Sequence, residues 1–154
     1  MPHSTQVIKL PYPPRPFRNA KTGEISELYY PTVNTILTFN HRLGMPIEAL
    51  IDSGSDINLF PADYALAYLG MNERSLKKGE PKVIVGIGDT QLESFGHRVR
   101  LELLGKEYYF NTVVYFSLGH NSIPLLGRSG FFDRFERVAF DEQSKTVELK
   151  TLST

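Results

Sequence analysis

The chain has 154 residues, 17 of them basic and 17 acidic, and no cysteine. That length suits one domain burying about two thirds of its unfolded surface. The balanced charge argues against nucleic acid or an anionic membrane as partner, and the missing thiols exclude a cysteine nucleophile, a disulfide framework and a thiolate metal site. No apolar run nears the ~20 residues that span a bilayer. Met1-Pro2-His3-Ser4-Thr5 lacks the basic region and apolar stretch of a secretory signal, so a cytoplasmic protein is the expectation.

Residues 11–16, Pro-Tyr-Pro-Pro-Arg-Pro, cannot be helix and supply few ladder donors. They read as part of an extended arm over residues 1–30; the alternative is a docking motif for a partner's aromatic groove. From residue 31 to residue 154 the punctuation is that of one mostly β domain with one or two short helices. Thr32 to Phe39 alternates, with Val33, Leu37 and Phe39 on one face, and Asn40-His41-Arg42-Leu43-Gly44 is a turn. Ile47 to Ile51 returns as a second strand. Pro61 to Leu69 reads as a short helix whose face is Ala62, Ala65, Leu66 and Leu69, with Gly70 as its stop. Residues 72–81 are polar. A hairpin is expected over 82–99, tipped by Gly86-Ile87-Gly88-Asp89, its return strand starting at Gln91 and running on to Leu103. Glu107 to Phe116 is another strand, a short helix is expected over 129–135, and Val138–Asp141 and Val147–Lys150 form a terminal hairpin.

The most informative stretch is Ala49-Leu50-Ile51-Asp52-Ser53-Gly54-Ser55. It sets a carboxylate, a hydroxyl and a glycine at the end of an apolar strand, where an unpaired charge is costly to bury. Asp-(Ser/Thr)-Gly-(Ala/Ser) is expected by chance in about one chain in a hundred of this length. Asp52 reads as a catalytic carboxylate, against the alternative of an ordinary turn before a loop. The histidines, His3, His41, His97 and His120, are scattered without metal spacing and read as surface or loop residues. No cofactor or metal is called for. No serine sits in Gly-x-Ser-x-Gly, and the hairpin glycines lack the Lys-Ser/Thr of a phosphate loop. The tyrosines and phenylalanines read as strand core in preference to base-stacking platforms.

Asp-Ser-Gly-Ser at 52–55, a glycine-tipped hairpin at 82–99 and Leu-Leu-Gly-Arg at 125–128 follow in an order that resembles the retropepsin-like aspartic proteases, the single-domain family that includes the retroviral proteases. The resemblance covers roughly residues 30 to 135. It implies an aspartic endopeptidase acting on extended peptides, in which two carboxylates share one proton and activate water. Asp133 and Asp141 lack a following Thr/Ser-Gly, so the second carboxylate would come from another copy, giving a twofold homodimer with Asp52 of each chain at the axis.

The resemblance assigns further roles. Ser53 would link the two loops across the axis, Gly54 would let backbone approach the carboxylates, and Ser55 fills a small position. Asp56 would bind substrate backbone and pair with Arg128, which follows Gly127; the plainer alternative for Arg128 is a surface cation. Gly86, Ile87 and Gly88 match the tip of the flap that closes over substrate. Asp89 stands where the viral flap continues with glycine, and the arm and terminal hairpin have no viral counterpart. Viral dimers are tied by a sheet of chain termini, so the interface here would differ, with Phe131, Phe132, Phe135 and the terminal hairpin as candidates against plain core. The competing function is a catalytically silent retropepsin-fold domain that binds or scaffolds a strand-like ligand.

Overall fold

Alternation of apolar and polar side chains along a few long strands sets the architecture. The computed structural model describes residues 4–119 and 123–153, so His3 and His120 lie outside the described residues. The strands are β1 (Val7–Pro11), β2 (Pro14–Arg18), β3 (Ile25–Tyr29), β4 (Thr32–Phe39), β5 (Arg42–Leu43), β6 (Ile47–Ile51) and β7 (Leu59–Pro61). Two helices follow, α1 (Ala62–Tyr68) and α2 (Glu73–Leu76). The remaining strands are β8 (Glu80–Val85), β9 (Gln91–Leu103), β10 (Tyr108–Ser117), β11 (Leu125–Leu126), β12 (Phe135–Asp141) and β13 (Thr146–Thr151). No helix among the described residues is long and apolar enough to cross a membrane.

The main sheet runs β5-β4-β6-β11-β7-β10-β9-β8. The long β9 closes it. Its first half pairs with β8, from Val85↔Gln91 to Glu80↔Gly96, and its last residues pair with β4, from Thr35↔Leu103 to Thr38↔Arg100. From Ser94 to Leu103 the strand also pairs with β10. A sheet joined to itself in this way is a barrel and loses most of its open edges. The inward residues Leu37, Phe60, Leu101, Leu103, Val114 and Phe116 are fully buried and form the core.

A second sheet, β1-β13-β12, lies against the barrel. Ile8, Leu10, Val147 and Leu149 face the core, while Lys9–Glu148 and Glu136–Lys150 ion pairs lie outside. The terminal hairpin expected over 138–150 is thus present, and residues 7–11 add a third strand to it. β2 and β3 make a separate two-stranded sheet. Pro14 and Pro16 are tolerated because they are two apart. In an antiparallel pair alternate residues direct their N–H groups to the same edge, so both missing donors fall on the outer side.

Several local expectations need correction. The apolar face of α1 is rolled toward Tyr64, which is buried, whereas Leu66 is exposed. Tyr64 packs edge-on to Phe60, and its hydroxyl donates to the Met45 carbonyl, so it anchors the helix in place of Leu66. The polar stretch after it holds α2, which starts with a reciprocal cap. Asn72 Oδ1 accepts from Ser75 N–H and Ser75 Oγ accepts from Asn72 N–H. His97 is not a surface residue. It is half-buried on β9 between Phe39 and Phe116, and its Nε2–H donates to the Leu76 carbonyl at 2.7 Å.

The helix expected over 129–135 shrinks to one 3₁₀ turn, Phe132–Arg134. Gly130 adopts a φ of +103°, which breaks a helix at that point, and Ser129 bridges to Ile57. Phe131 and Phe135 are plain core, buried and packed at a tilt with ring centroids 5.2 Å apart, beside Phe110 and Tyr108. They are not available as an interface; of the three, Phe132 alone is part-exposed.

Candidate active site

The apolar run Ile47–Ile51 carries the chain into the loop 52–58, and β7 carries it out. β11 enters between these two strands. Leu125 and Leu126 pair parallel with Leu50 and Ile51, and Leu125 also pairs antiparallel with Leu59. The next residue, Gly127, packs against the Ile57 backbone at a distance that leaves no room for a side chain. The loop is then stitched to the segment after β11 by main-chain bonds. Asp52 N–H donates to Leu126 O (3.0 Å), Arg128 N–H to Ser55 O (2.8 Å) and Ser129 N–H to Asp56 O (2.9 Å).

Within the loop the Asp52 carboxylate is positioned by backbone. Its Oδ1 accepts from Gly54 N–H at 2.9 Å, and its carbonyl accepts from Ser55 N–H at 3.1 Å. A Cβ at position 54 would sit 3.2 Å from that Oδ1, tight enough to disturb the bond. Ser55 turns inward, its hydroxyl donating to Ile57 O at 2.7 Å. Ser53 is exposed, and its hydroxyl makes no hydrogen bond among the described residues. Asp52 itself is half-buried, with no salt bridge among the described residues.

Asp56 and Arg128 are brought together through their backbones only. Both side chains are exposed, and no ion pair joins them among the described residues, so the expected side-chain pair is replaced by the Ser129-to-Asp56 main-chain bond. A depression of about 340 Å³ opens beside the loop, lined by Asp56, Ile57, Lys82, Tyr115 and Ser129 among others, and does not include Asp52. Burial, and then the Glu80 carboxylate, push the Tyr115 phenol up from its ordinary value, which keeps it protonated there.

Sequence reasoning missed Asn58, which is fully buried. Its Oδ1 accepts from Gly127 N–H at 3.0 Å, its Nδ2 donates to Val113 O at 3.2 Å, and its own carbonyl accepts from Tyr115 N–H. One side chain thus ties the loop to both β10 and the glycine behind it. The signal was present as an asparagine inside the apolar run Ile57-Asn58-Leu59-Phe60, where only a satisfied amide is tolerable.

The hairpin β8–β9 ends in a tight tip. Gly86 N–H donates to Thr90 O at 2.8 Å, and Ile87–Asp89 form a 3₁₀ turn. Gly88 (φ +78°) and Asp89 (φ +60°) are both left-handed. Glycine meets that demand freely, and aspartate is among the side chains that tolerate it, which accounts for Asp89 at this position. No hydrogen bond links this tip to residues 52–56 among the described residues. Nor do the described residues hold any group of three His, Asp or Glu side chains placed to bind a metal.

Solved structures resemble this fold. A retropepsin-like aspartic protease from Rickettsia conorii aligns over 98% of this chain and 96% of its own, with a TM-score of 0.53 and 19% identity. The fold is retropepsin-like. Weaker matches are EIAV protease complexed with the inhibitor HBY-793 (TM-score 0.46, 20% identity, 64% of this chain and 82% of that one) and the retroviral protease-like domain of Ddi1 from Leishmania major (0.49, 15%, 80% and 94%). No protein-family model matches the sequence, and no curated protein matches it.

Proposed function

We propose that this chain is an aspartic endopeptidase that works as a homodimer on extended peptides. The observation that carries the proposal is the Asp52 carboxylate, held by Gly54 N–H on a surface loop that Gly127 and Asn58 lock from behind. A buried carboxylate would be structural. A half-buried one, held by a main-chain donor beside the exposed Ser53, would meet its symmetry mate in such a dimer. Two such carboxylates about 3 Å apart cannot both ionise, so the pair holds one proton.

The chemistry then follows from the pair. The ionised Asp52 takes a proton from water, whose oxygen attacks the scissile carbonyl carbon. The protonated Asp52 of the second copy gives its proton to the carbonyl oxygen. Collapse of the tetrahedral species breaks the C–N bond as the first Asp52 passes the water proton to the amine and the second takes back the proton on the former carbonyl oxygen. Asp56 and the backbone of Gly86, Ile87 and Gly88 would hold the peptide as a strand, with the β8–β9 hairpin closing as a flap to exclude water. Gly127 and Arg128 support the loop through their main chain.

The test is incubation with a diverse peptide mixture at mildly acidic pH, cleavage products being identified by mass spectrometry, with Asp52→Asn in parallel. Cuts made by the wild type and absent from the variant establish the activity and its subsites. A dimeric wild type that cuts nothing, yet retains peptides as Asp52→Asn does, is a strand-binding domain instead.

A further inference from the structure

Beside the Asp52 loop stands a hairpin with no core of its own. β2 and β3 pair over five residues each, from Pro14↔Tyr29 to Arg18↔Ile25. Every residue in them except Arg15 is exposed, including Phe17 (48%), Ile25 (65%), Leu28 and Tyr29. An isolated two-stranded hairpin is marginal in water and needs something to pack on.

Its base adjoins the site. Pro31 O accepts from Ile51 N–H, one residue before Asp52. A tight turn centred on Pro31, closed by Thr32 N–H to Tyr30 O at 2.8 Å, swings the hairpin away from the line of β4. Arg15 forms an ion pair with Glu48 on β6 and fixes the hairpin's root to the barrel. Leu28 faces Arg15 in register, and Phe17 is two residues along β2, so Phe17 and Leu28 share the Arg15 face. The outer edge of β2 lacks donors at Pro14 and Pro16, which disfavours strand addition there and leaves the faces for association.

Other exposed apolar residues lie on separate elements: Val83 and Val85 on β8, Leu43 on β5, Leu66 and Tyr68 on α1, and Tyr109 on β10. A stable dimer buries about 800 Å² per partner, far more than the few exposed residues of loop 52–56 supply. The terminal sheet packs Ile8, Leu10, Val147 and Leu149 into its own core and exposes Val7 and Phe140 among charged pairs, and charged residues are depleted at interface centres.

We infer that the β2–β3 hairpin is the clasp of the homodimer: its apolar surface is covered by a second copy of this chain, each hairpin lying over the other copy beside the paired Asp52 loops. The inference rests on the dimeric reading of Asp52.

Sedimentation over a concentration series tests it, comparing wild type, Phe17→Asp/Leu28→Asp and Leu43→Asp. Leu43 is 64% exposed and pairs with Thr38, at the end of β4 away from Asp52, so it serves as a control. The hairpin variant should raise the dimer dissociation constant at least tenfold with an unchanged circular dichroism spectrum, and the control should match wild type. Hydrogen exchange of wild type above and below its dissociation constant gives a readout free of any variant: amides 15–29 should slow in the dimer. A dimeric wild type with unchanged hairpin-variant affinity, or with unchanged exchange at 15–29, overturns the clasp and leaves the paired Asp52 reading intact. A wild type that stays monomeric at every concentration, with or without peptide, overturns both.

Discussion

Gly127 stands against Ile57 so closely that a Cβ on it would overlap the Ile57 carbonyl oxygen and lie 2.6 Å from the carbonyl carbon. Both atoms are backbone and cannot swing aside. Gly127→Ala must push β11 out from between β6 and β7, at a cost of about 3 kcal/mol or more. Urea denaturation should show that loss, and peptide cleavage should fall with it because the Asp52 loop moves too. Stability within about 0.5 kcal/mol of wild type would mean that the crossing is looser than this contact requires.

Asn58 supports the same loop by hydrogen bonding. Asn58→Leu keeps most of the volume but leaves the Gly127 N–H and the Val113 carbonyl without their side-chain partner. With each buried orphan costing about 1–3 kcal/mol, a loss of about 2–6 kcal/mol is expected in the same denaturation experiment. Asn58→Asp keeps the acceptor and loses the donor while burying a carboxyl whose neutral form is favoured. Its stability should therefore be better near pH 4 than near pH 7, the opposite trend to a paired surface aspartate.

These two positions also mark where the sequence was readable and where it was not. Gly127 was visible because Leu-Leu-Gly-Arg has a recognisable place after an Asp-Ser-Gly-Ser loop, and Asp52 fell where the apolar strand Ile47–Ile51 had to end. β9 was legible over its full length because its alternation is long and its start is punctuated by the Gly86–Asp89 tip. Asn58 was hidden because its partners, Val113 and Gly127, are remote in sequence. The Asp56–Arg128 pair failed for a related reason: spacing can bring two segments together without saying whether side chains or main chains meet. Leu66 and the 129–135 helix were misread because helical periodicity ignores a competitor such as Tyr64 or a left-handed Gly130.

Paired Asp52 carboxylates would make turnover pH-dependent. One proton shared between two groups should give a bell-shaped rate profile with its optimum below about pH 7. Cleavage of a fixed peptide followed from about pH 3 to about pH 9 checks this, with dimer content measured at each point. Rates that stay level from about pH 4 to about pH 9 would be incompatible with a shared proton.

Stability should fail on the alkaline side through buried phenols. Burial pushes Tyr64 up from its ordinary value of 10.0, and Tyr12 and Tyr108 are raised mainly by the same cause. The fold thus favours the neutral phenol. That contribution is complete below pH 10, where the unfolded chain is also protonated, and is lost as pH climbs through the higher folded values. Thermal melts from about pH 8 to about pH 11.5, read beside tyrosinate absorbance, should show a falling midpoint above about pH 10. Tyr64→Phe should be less stable at neutral pH, having lost the bond to the Met45 carbonyl, yet decline less steeply in alkali.

The strand threaded between β6 and β7 has a temporal consequence. A ribosome delivers Asp52 long before it delivers Leu125 and Leu126, and the loop cannot be closed from behind until those residues and Gly127 arrive. Every half-made chain therefore carries the carboxylate without the frame that aims it. Such distant pairings are slow to form, so the site is completed near the end of folding. Under the proposed function, synthesis order would act as a safety catch, no chain being able to cut its growing neighbours before Gly127 has been made.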